Sequence, residues 1–208
     1  MSQVKKVDGR AEKSRITRAK VLDAATELFV RDGYGATALQ DIAEAAGVAV
    51  QTIYYGFGTK QTVLKQVVDR SIAGDDEPVA TMDRPWFRDA QATTTADEHL
   101  RAHVEGTTKV LERVAPIMKM LEAAAAADAA VAKLWPSTDP RLTVQTEAAQ
   151  SLLSKPGAHK DVTTEHATDI LYAVLSTELY LLLVTNRGWT TRQFADWAYD
   201  VLKPQLCA

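Results

Sequence analysis

Residues 46–64 read AGVAVQTIYYGFGTKQTVL, and they interrupt an otherwise continuous helical pattern with two adjacent tyrosines and two closely spaced glycines. With the residues just before them, they have the spacing of a helix-turn-helix: a small residue at the helix crossing, a glycine four residues later, and apolar anchors for the second helix. These positions are Ile42, Ala43, Gly47, Val48 and Ile53. A glycine can adopt the positive φ that ends a helix sharply. The spacing therefore predicts a helix-turn-helix over about residues 38–57.

Helical signals also dominate the rest of the chain, and no run of residues shows the period-two alternation of a half-buried β-strand. We therefore predict an all-α fold. Near the start, helices are expected at about residues 17–32, 37–46 and 50–55, and a fourth begins at Thr59. A capping box of Thr37 and Gln40 marks the start of the second helix. Longer helices are expected at about residues 97–114, 116–135, 139–154, 163–186 and 191–206, with Pro116 and Pro140 in first turns.

Charge is distributed unevenly along the chain. The net charge is −3, but residues 1–70 hold 11 Lys and Arg against 8 Asp and Glu, whereas residues 71–208 hold 13 against 19. Seven basic residues lie within the first 20 positions: Lys5, Lys6, Arg10, Lys13, Arg15, Arg18 and Lys20. We expect residues 1–14 to form a disordered basic arm. On charge alone, this arm either contacts phosphates or only keeps the chain in solution.

The block from Thr17 to Leu64 resembles the N-terminal domain of the tetracycline-repressor (TetR) family. The resemblance is carried by AATELFVRDGYGATALQDIAEAAGV at residues 24–48, and by the pattern Tyr54-x-x-Phe57-x-x-Lys60 followed by Val63 and Leu64. Farther along, ELYLLLVTNRGWTTRQFADWAYDVL is similar to the last two helices of many family members.

This resemblance implies two domains. Residues 15–75 would form an N-terminal three-helix helix-turn-helix DNA-binding domain, and residues 76–208 a larger C-terminal helical domain for ligand binding and dimerisation. Two residues depart from the family pattern. Ala49 stands where a serine or threonine commonly caps the helix, and Gly56 stands where a larger residue is frequent.

The resemblance also implies that Thr37, Tyr54, Tyr55 and Lys60 reach phosphates, while the helix that opens near Ala49 lies in the major groove. Hydroxyl groups can donate to phosphate oxygens, and a lysine at a helix start joins N–H groups that already favour an anion. The two tyrosines have an alternative position at the edge of the core, with their hydroxyls in water.

Base contacts would come from Val50, Gln51 and Thr52, with Ala49 nearby. A glutamine can pair bidentately with adenine, and valine or a threonine methyl can pack against thymine. No arginine or lysine lies among these residues. We therefore expect A·T steps, apolar contacts or water-mediated contacts to provide the specificity.

The second domain is expected to hold an internal pocket for an unidentified, largely apolar small molecule. Candidate lining residues are Trp86, Phe87, His103, Met118, Met120, Trp135 and Tyr172. His99 and His103 have a spacing that can share a metal ion, but no further ligand accompanies them in the sequence. A pocket-lining or surface position is favoured for both, and no metal or other cofactor is expected.

The helix predicted at residues 163–186 is apolar nearly all round and must bury more than one face. Packing it and the last helix against a second copy would give the four-helix dimer interface that the resemblance also implies. Candidate interface residues are Leu175, Leu179, Leu182, Phe194, Trp197 and Val201. A core buried within one chain is the alternative. The most apolar run, residues 170–184, is 15 residues long and too short to span a bilayer.

Together these features predict a homodimeric, cytoplasmic repressor that binds double-stranded operator DNA and releases it when a small molecule binds. The single cysteine, Cys207, fits a reducing compartment, and the N-terminus lacks the apolar segment of a secretory signal. One alternative is an all-α enzyme, but no nucleophile–base pair, metal set or phosphate loop supports it. The other is an architectural DNA-binding protein without an effector.

Overall fold

The computed structural model describes residues 4–75, 77, 79–134 and 139–208, with the backbone alone for residues 4–8. These residues form helices and turns without a β-strand, which confirms the predicted all-α fold. The helices are α1 (Val4–Asp32), α2 (Leu39–Ala46), α3 (Val50–Phe57), α4 (Lys60–Ala73), α5 (Pro85–Ala92), α6 (Ala96–Ala127), α7 (Ala129–Ala132), α8 (Pro140–Leu153), α9 (Thr164–Val174), α10 (Thr177–Tyr180) and α11 (Thr191–Leu206). A 3₁₀ turn spans Thr81–Asp83 and a π-helix spans Leu181–Asn186.

Two compact units divide the chain. Unit 1 comprises Met1–Ser71 and Ile117–Trp135, and unit 2 comprises Ile72–Pro116 and Pro136–Ala208. The sequence predicts that all of residues 76–208 belong to one second domain. The structure differs, because α6 contributes its N-terminal part to unit 2 and its C-terminal part to unit 1.

Unit 1 has one apolar core. Fully buried side chains from the first four helices, including Phe29, Ile42, Ile53 and Leu64, form its centre. The second part of α6 and the following helix complete this core with Ile117, Met120, Leu121, Ala124 and Val131. Burying apolar side chains of this size contributes roughly 1.5–3 kcal/mol each, so residues 117–131 stabilise unit 1 directly.

The N-terminal arm is helical in the structure, contrary to the expected disorder. Helix α1 begins at Val4, and every described side chain from Gly9 to Ile16 is exposed. The sequence here contains good helix formers and no proline, and the Arg15 guanidinium binds the Glu12 carboxylate three residues earlier at 2.7 Å.

Pro116 lies inside α6 and not in the first turn of a new helix, so the expected boundary between residues 114 and 116 is wrong. A proline within a helix removes one backbone hydrogen bond and crowds the preceding turn. Here its ring is exposed, while its neighbours Val114, Ala115 and Ile117 are buried. The burial on both sides keeps the helix continuous. Pro140, by contrast, occupies the first turn of α8 as predicted.

The apolar stretch at residues 164–186 is long and apolar enough to cross a membrane by length and composition alone. The structure divides it. Helix α9 ends before Leu175, and Ser176 begins α10 by accepting a hydrogen bond from the Leu179 N–H at 3.2 Å. The predicted single helix at residues 163–186 is therefore wrong, because a serine side chain here caps a new helix.

Candidate nucleic-acid interface

The turn between α2 and α3 has the geometry that the sequence predicts. Gly47 adopts φ 66° and ψ 37°, in the left-handed region, and ends α2. The Val48 N–H then donates to the Ala43 carbonyl at 2.9 Å. Ala43 is buried at this crossing. A side chain at residue 47 would be strained by this backbone conformation.

Helix α3 has one buried face and one exposed face. Ile53 and Phe57 are buried, whereas Gln51 and Thr52 are exposed. Tyr54 is 53% exposed and Tyr55 is 93% exposed, so neither is a core residue, contrary to the packing alternative. Four polar side chains thus project from one short helix into solvent.

The two ends of α3 differ in their capping. Ala49 precedes the helix and provides no side-chain hydrogen bond, as its sequence predicts. Val50 is half-buried and packs against the unit 1 core, which leaves less of it for base contact than the sequence suggests. At the other end, Gly58 adopts φ 79°, whereas Gly56 lies within the helix without a positive φ. Gly58 alone makes the break attributed to both glycines.

Thr37 is not placed to contact phosphate. Its side chain is buried, and its hydroxyl donates to the Gly33 carbonyl at 2.9 Å. It also does not cap α2, which begins at Leu39. The Asp41 carboxylate instead accepts a hydrogen bond from the Ala38 N–H at 2.7 Å. The capping box expected of Thr37 and Gln40 is therefore wrong: the residue before α2 is Ala38, whose side chain cannot accept a hydrogen bond.

Lys60 is also bound internally. Its ammonium group donates to the carbonyls of Tyr34 and Thr37 at 2.8 and 2.9 Å and lies 4.2 Å from the centre of the Tyr34 ring. Burial lowers the pKa of Lys60, and the nearby Asp128 carboxylate opposes this shift. Both carbonyls belong to the loop between α1 and α2, so these hydrogen bonds link that loop to the start of α4. Lys60 thus has an internal role that the sequence did not predict, and its phosphate contact stays a prediction.

Arg18 is a cation near α3 that the sequence reasoning did not single out as a site residue. Its guanidinium lies 5.0 Å from the centre of the Phe57 ring, at the end of α3, and its side chain is exposed. The signal was available, since Arg18 lies one helical turn before the core residue Leu22.

Unit 2 brings together only part of the predicted pocket. The Trp86 and Phe87 rings both lie 6.0 Å from the His103 ring. Tyr172 instead donates to the Asp139 carboxylate at 2.6 Å. Met118 and Met120 pack in unit 1, and Trp135 lies outside the described residues. Within unit 2, the structure therefore brings together Trp86, Phe87 and His103 of the predicted set.

A groove of about 390 Å³ lies elsewhere in unit 2, between α6 and α11. It is lined by Arg101, Val104, Glu105, Thr108, Lys109, Glu112, Thr191, Arg192, Ala195, Asp196 and Tyr199. None of these was predicted as a pocket residue. The walls carry charges of both signs, unlike the apolar pocket expected from the sequence.

The predicted dimer residues separate into two groups. Leu175 and Phe194 are buried within unit 2, so they are not available to a second copy, and their assignment is wrong. Leu182 is 48% exposed, while Leu179, Trp197 and Val201 are half-buried. The side chains of this second group leave apolar surface exposed.

Among the described residues, no three metal-binding side chains come together.

Comparison with known proteins identifies the same N-terminal region. Residues 21–67 match the family model described as bacterial regulatory proteins, tetR family. The chain is 41% identical over 69 residues to the HTH-type transcriptional repressor ComR of Escherichia coli K12, covering 33% of this chain and 32% of ComR. It is 34% identical over 100 residues to the HTH-type transcriptional activator FasR of Mycolicibacterium smegmatis, covering 46% of this chain and 40% of FasR. The matches thus span less than half of each relative.

The whole fold has solved counterparts. A TetR-family transcriptional regulator from Mesorhizobium loti MAFF303099 superposes with a TM-score of 0.69 over 94% of this chain and 98% of its own, at 18% identity. The named relatives are regulators and not enzymes. With the helix-turn-helix geometry and the all-α fold, these matches lead to one conclusion: residues 21–67 form a DNA-binding domain similar to that of the bacterial regulatory proteins of the tetR family.

Proposed function

We propose that the chain is a dimeric transcriptional repressor that binds operator DNA through α3 and releases it when a small molecule binds unit 2. The observation that carries this proposal is the exposed face of α3, where Gln51, Thr52, Tyr54 and Tyr55 project from a buried anchor. A helix of this kind fits the major groove, and hydroxyls beside it can bind phosphates. The repressor name of ComR supports this direction of regulation.

Within this proposal, Gln51 and Thr52 read bases and the two tyrosines position the helix. Gln51 is exposed on the first turn of α3 and can donate to and accept from adenine. Tyr55 extends farther into solvent than Tyr54, so its hydroxyl is the better placed for a phosphate. Arg18, near the end of α3, adds a cation without base specificity.

The operator is first identified by selecting genomic DNA fragments that the protein binds. The variant Gln51→Ala then tests whether Gln51 reads a base. We expect the variant to lose about 1–3 kcal/mol of discrimination at one A·T position, while binding to operators changed at that position is affected little. Fluorescence anisotropy on a panel of single-base operator variants measures this. Tyr55→Phe is the matched comparison, because losing a phosphate contact weakens all operators alike. Uniform weakening by Gln51→Ala would contradict base reading.

Release of DNA requires the small molecule to prefer one spacing of the two reading helices in a dimer. Half-sites lie one DNA turn, about 34 Å, apart, so only one spacing matches them. A ligand that binds the other spacing more tightly lowers the affinity for DNA by the same factor. In a gel-shift titration, constant DNA affinity under conditions where calorimetry shows ligand binding would refute the release step.

A further inference from the structure

A group of polar and aromatic side chains lies inside unit 2, where α5, α6 and α8 meet. This histidine cluster comprises Trp86, Phe87, His99, His103 and Gln145. His99 and His103 are each 1% exposed, and Gln145 is 3% exposed. Polar groups are rarely buried without a structural or functional reason, because they must give up their hydrogen bonds to water.

Aromatic rings surround His103 on several sides. Its ring stacks on His99 at 6.1 Å, with 15° between the planes. The Phe87 ring meets it edge-on, and the Trp86 ring is tilted against it. These flat surfaces suit a planar aromatic molecule, since rings prefer stacked and edge-to-face contacts at such distances.

Hydrogen bonds define which histidine nitrogens carry protons. The Ala90 carbonyl accepts from His99 Nδ1 at 2.8 Å. With Gln145 oriented as in the structure, its Oε1 accepts from His103 Nε2, also at 2.8 Å. His103 is therefore protonated on Nε2 when neutral, and its Nδ1 carries a lone pair.

His103 Nδ1 is buried and has no hydrogen-bond partner among the described residues. Burial lowers the pKa of His103 to about 4, so that the ring is neutral near pH 7. The cluster thus presents two buried acceptors without a partner among the described residues, His99 Nε2 and His103 Nδ1, and the Trp86 and Phe87 rings lie beside His103. The His103 ring adds no positive charge. A ligand with a hydroxyl donor satisfies the acceptor His103 Nδ1, whereas a carboxylate would face a lone pair.

Trp86 forms the side of the cluster nearest to solvent. It is half-buried, whereas Phe87 and His99 are buried. Its indole ring lies directly on α6 at Gly106, where a Cβ atom would be only 2.1 Å from Trp86 Cε3. Of the four rings in the cluster, Trp86 alone is thus partly exposed.

We propose that the histidine cluster is the effector site and that it takes an uncharged aromatic molecule bearing a hydroxyl group, whose O–H donates to His103 Nδ1. This inference rests on the proposed function only in naming the ligand an effector. The sequence expectation of a largely apolar ligand is thereby narrowed to a phenol-like one.

Two probe pairs test the hydroxyl requirement in the full chain without DNA: 4-ethylphenol against ethylbenzene, and 2-naphthol against naphthalene. The members of a pair share their rings and differ in the hydroxyl donor. We expect at least tenfold tighter binding of the phenol in one pair or both, measured by equilibrium dialysis. Binding of neither phenol, or equal binding within both pairs, would overturn the proposal.

His103→Phe keeps a ring and removes the acceptor, so the phenol preference should fall toward onefold. His166→Phe changes an exposed histidine outside the cluster and should leave the preference intact. Thermal unfolding checks that both variants fold. Histidine ¹⁵N spectra of the unaltered chain give a second readout: the His103 Nδ1 signal should shift when the phenol is added and not when the matching hydrocarbon is added. A retained preference in a folded His103→Phe variant would contradict the assignment.

DNA anisotropy with the same probes separates the two proposals. Phenol-selective binding in a chain that binds no operator would refute the proposed function and leave the site intact. Operator binding without phenol selectivity would refute the site alone.

Discussion

At the scale of single residues, internal hydrogen bonds decide which polar side chains remain for DNA. Thr37 and Lys60 both turn toward carbonyls of the loop between α1 and α2. Family resemblance suggested phosphate contacts for both, because sequence reveals the type of a side chain but not the nearby acceptors. Gln51 and the two tyrosines lie on α3, and the structure leaves their side chains exposed. Anchors such as Ile53 were predictable from spacing alone.

Replacing Lys60 tests its internal role. We expect Lys60→Met to lower the free energy of unfolding by about 1–3 kcal/mol, because the carbonyls of Tyr34 and Thr37 lose a charged donor. Urea unfolding measures the change. The control is Lys65→Met, which removes an exposed lysine paired with Asp69 and should cost at most about 0.5 kcal/mol. Unchanged stability with weaker DNA binding would support the phosphate role.

The two buried histidines should make stability depend on pH. Burial is the main cause that lowers the pKa of both His99 and His103 to about 4, below the unfolded value near 6.5. Below pH 6.5 the unfolded chain therefore binds protons that the folded chain does not. Stability present at neutral pH is lost as pH falls toward 4, on the order of 1–2 kcal/mol per histidine by pH 5.

Urea midpoints at pH 7.5 and pH 5.0 measure this loss, and His103→Phe should reduce it. His166→Phe is the control, since that side chain is exposed. An equal loss in the unaltered chain and in His103→Phe would show that His103 is not responsible.

At the scale of elements, periodicity predicts most of the long helices but not α5, and helix ends depend on tertiary packing. The sequence placed α2, α3 and α8 within a few residues. It failed at Pro116, where buried neighbours on both sides outweigh the proline, and at Ser176, where a cap divides an apolar run. Neither burial nor a capping geometry is visible in a pattern of apolar residues.

The helical start of α1 should contribute to DNA binding through charge. Arg10 and Lys13 are exposed on this helix, as are all side chains from residue 9 to residue 16. Replacing both with glutamine should flatten the slope of log K against log salt by up to about 1.8, or about 0.9 for each lost phosphate contact. Lys160→Gln, in an exposed part of unit 2, is the control.

Ala11→Pro tests whether the arm must be helical to bind DNA or whether its charges suffice. The variant keeps every charge but interrupts the helix. We expect it to flatten the slope as well. A normal slope would mean that the arm binds without its helical form, and a normal slope in the glutamine variant would mean that it does not bind at all.

At the scale of the whole molecule, the two units combine segments that the sequence order keeps apart. The sequence predicts one C-terminal domain over residues 76–208, whereas the structure assigns residues 117–135 to unit 1. Amphipathic spacing shows that a helix has a buried face, but not which core receives it. The same limit applies to the dimer residues, since Leu175 and Leu182 are alike in sequence and opposite in burial.

Leu182→Glu tests the proposed dimer. The side chain is 48% exposed, so a charge there should be tolerated by the single chain and not by an apolar interface. We expect a monomer in sedimentation experiments and loss of operator binding. Leu142→Glu is a close control, because Leu142 is 46% exposed on α8 and outside the predicted interface. Dissociation by Leu142→Glu alone would place the interface elsewhere.

The close approach of Trp86 to Gly106 also limits how this protein can evolve. Even alanine at residue 106 would meet the indole ring, so the smallest substitution at this site should be deleterious. A smaller residue at position 86 would make room for it. The two positions should therefore change together among descendants of this chain, and a second-site suppressor of Gly106→Ala should be found at Trp86.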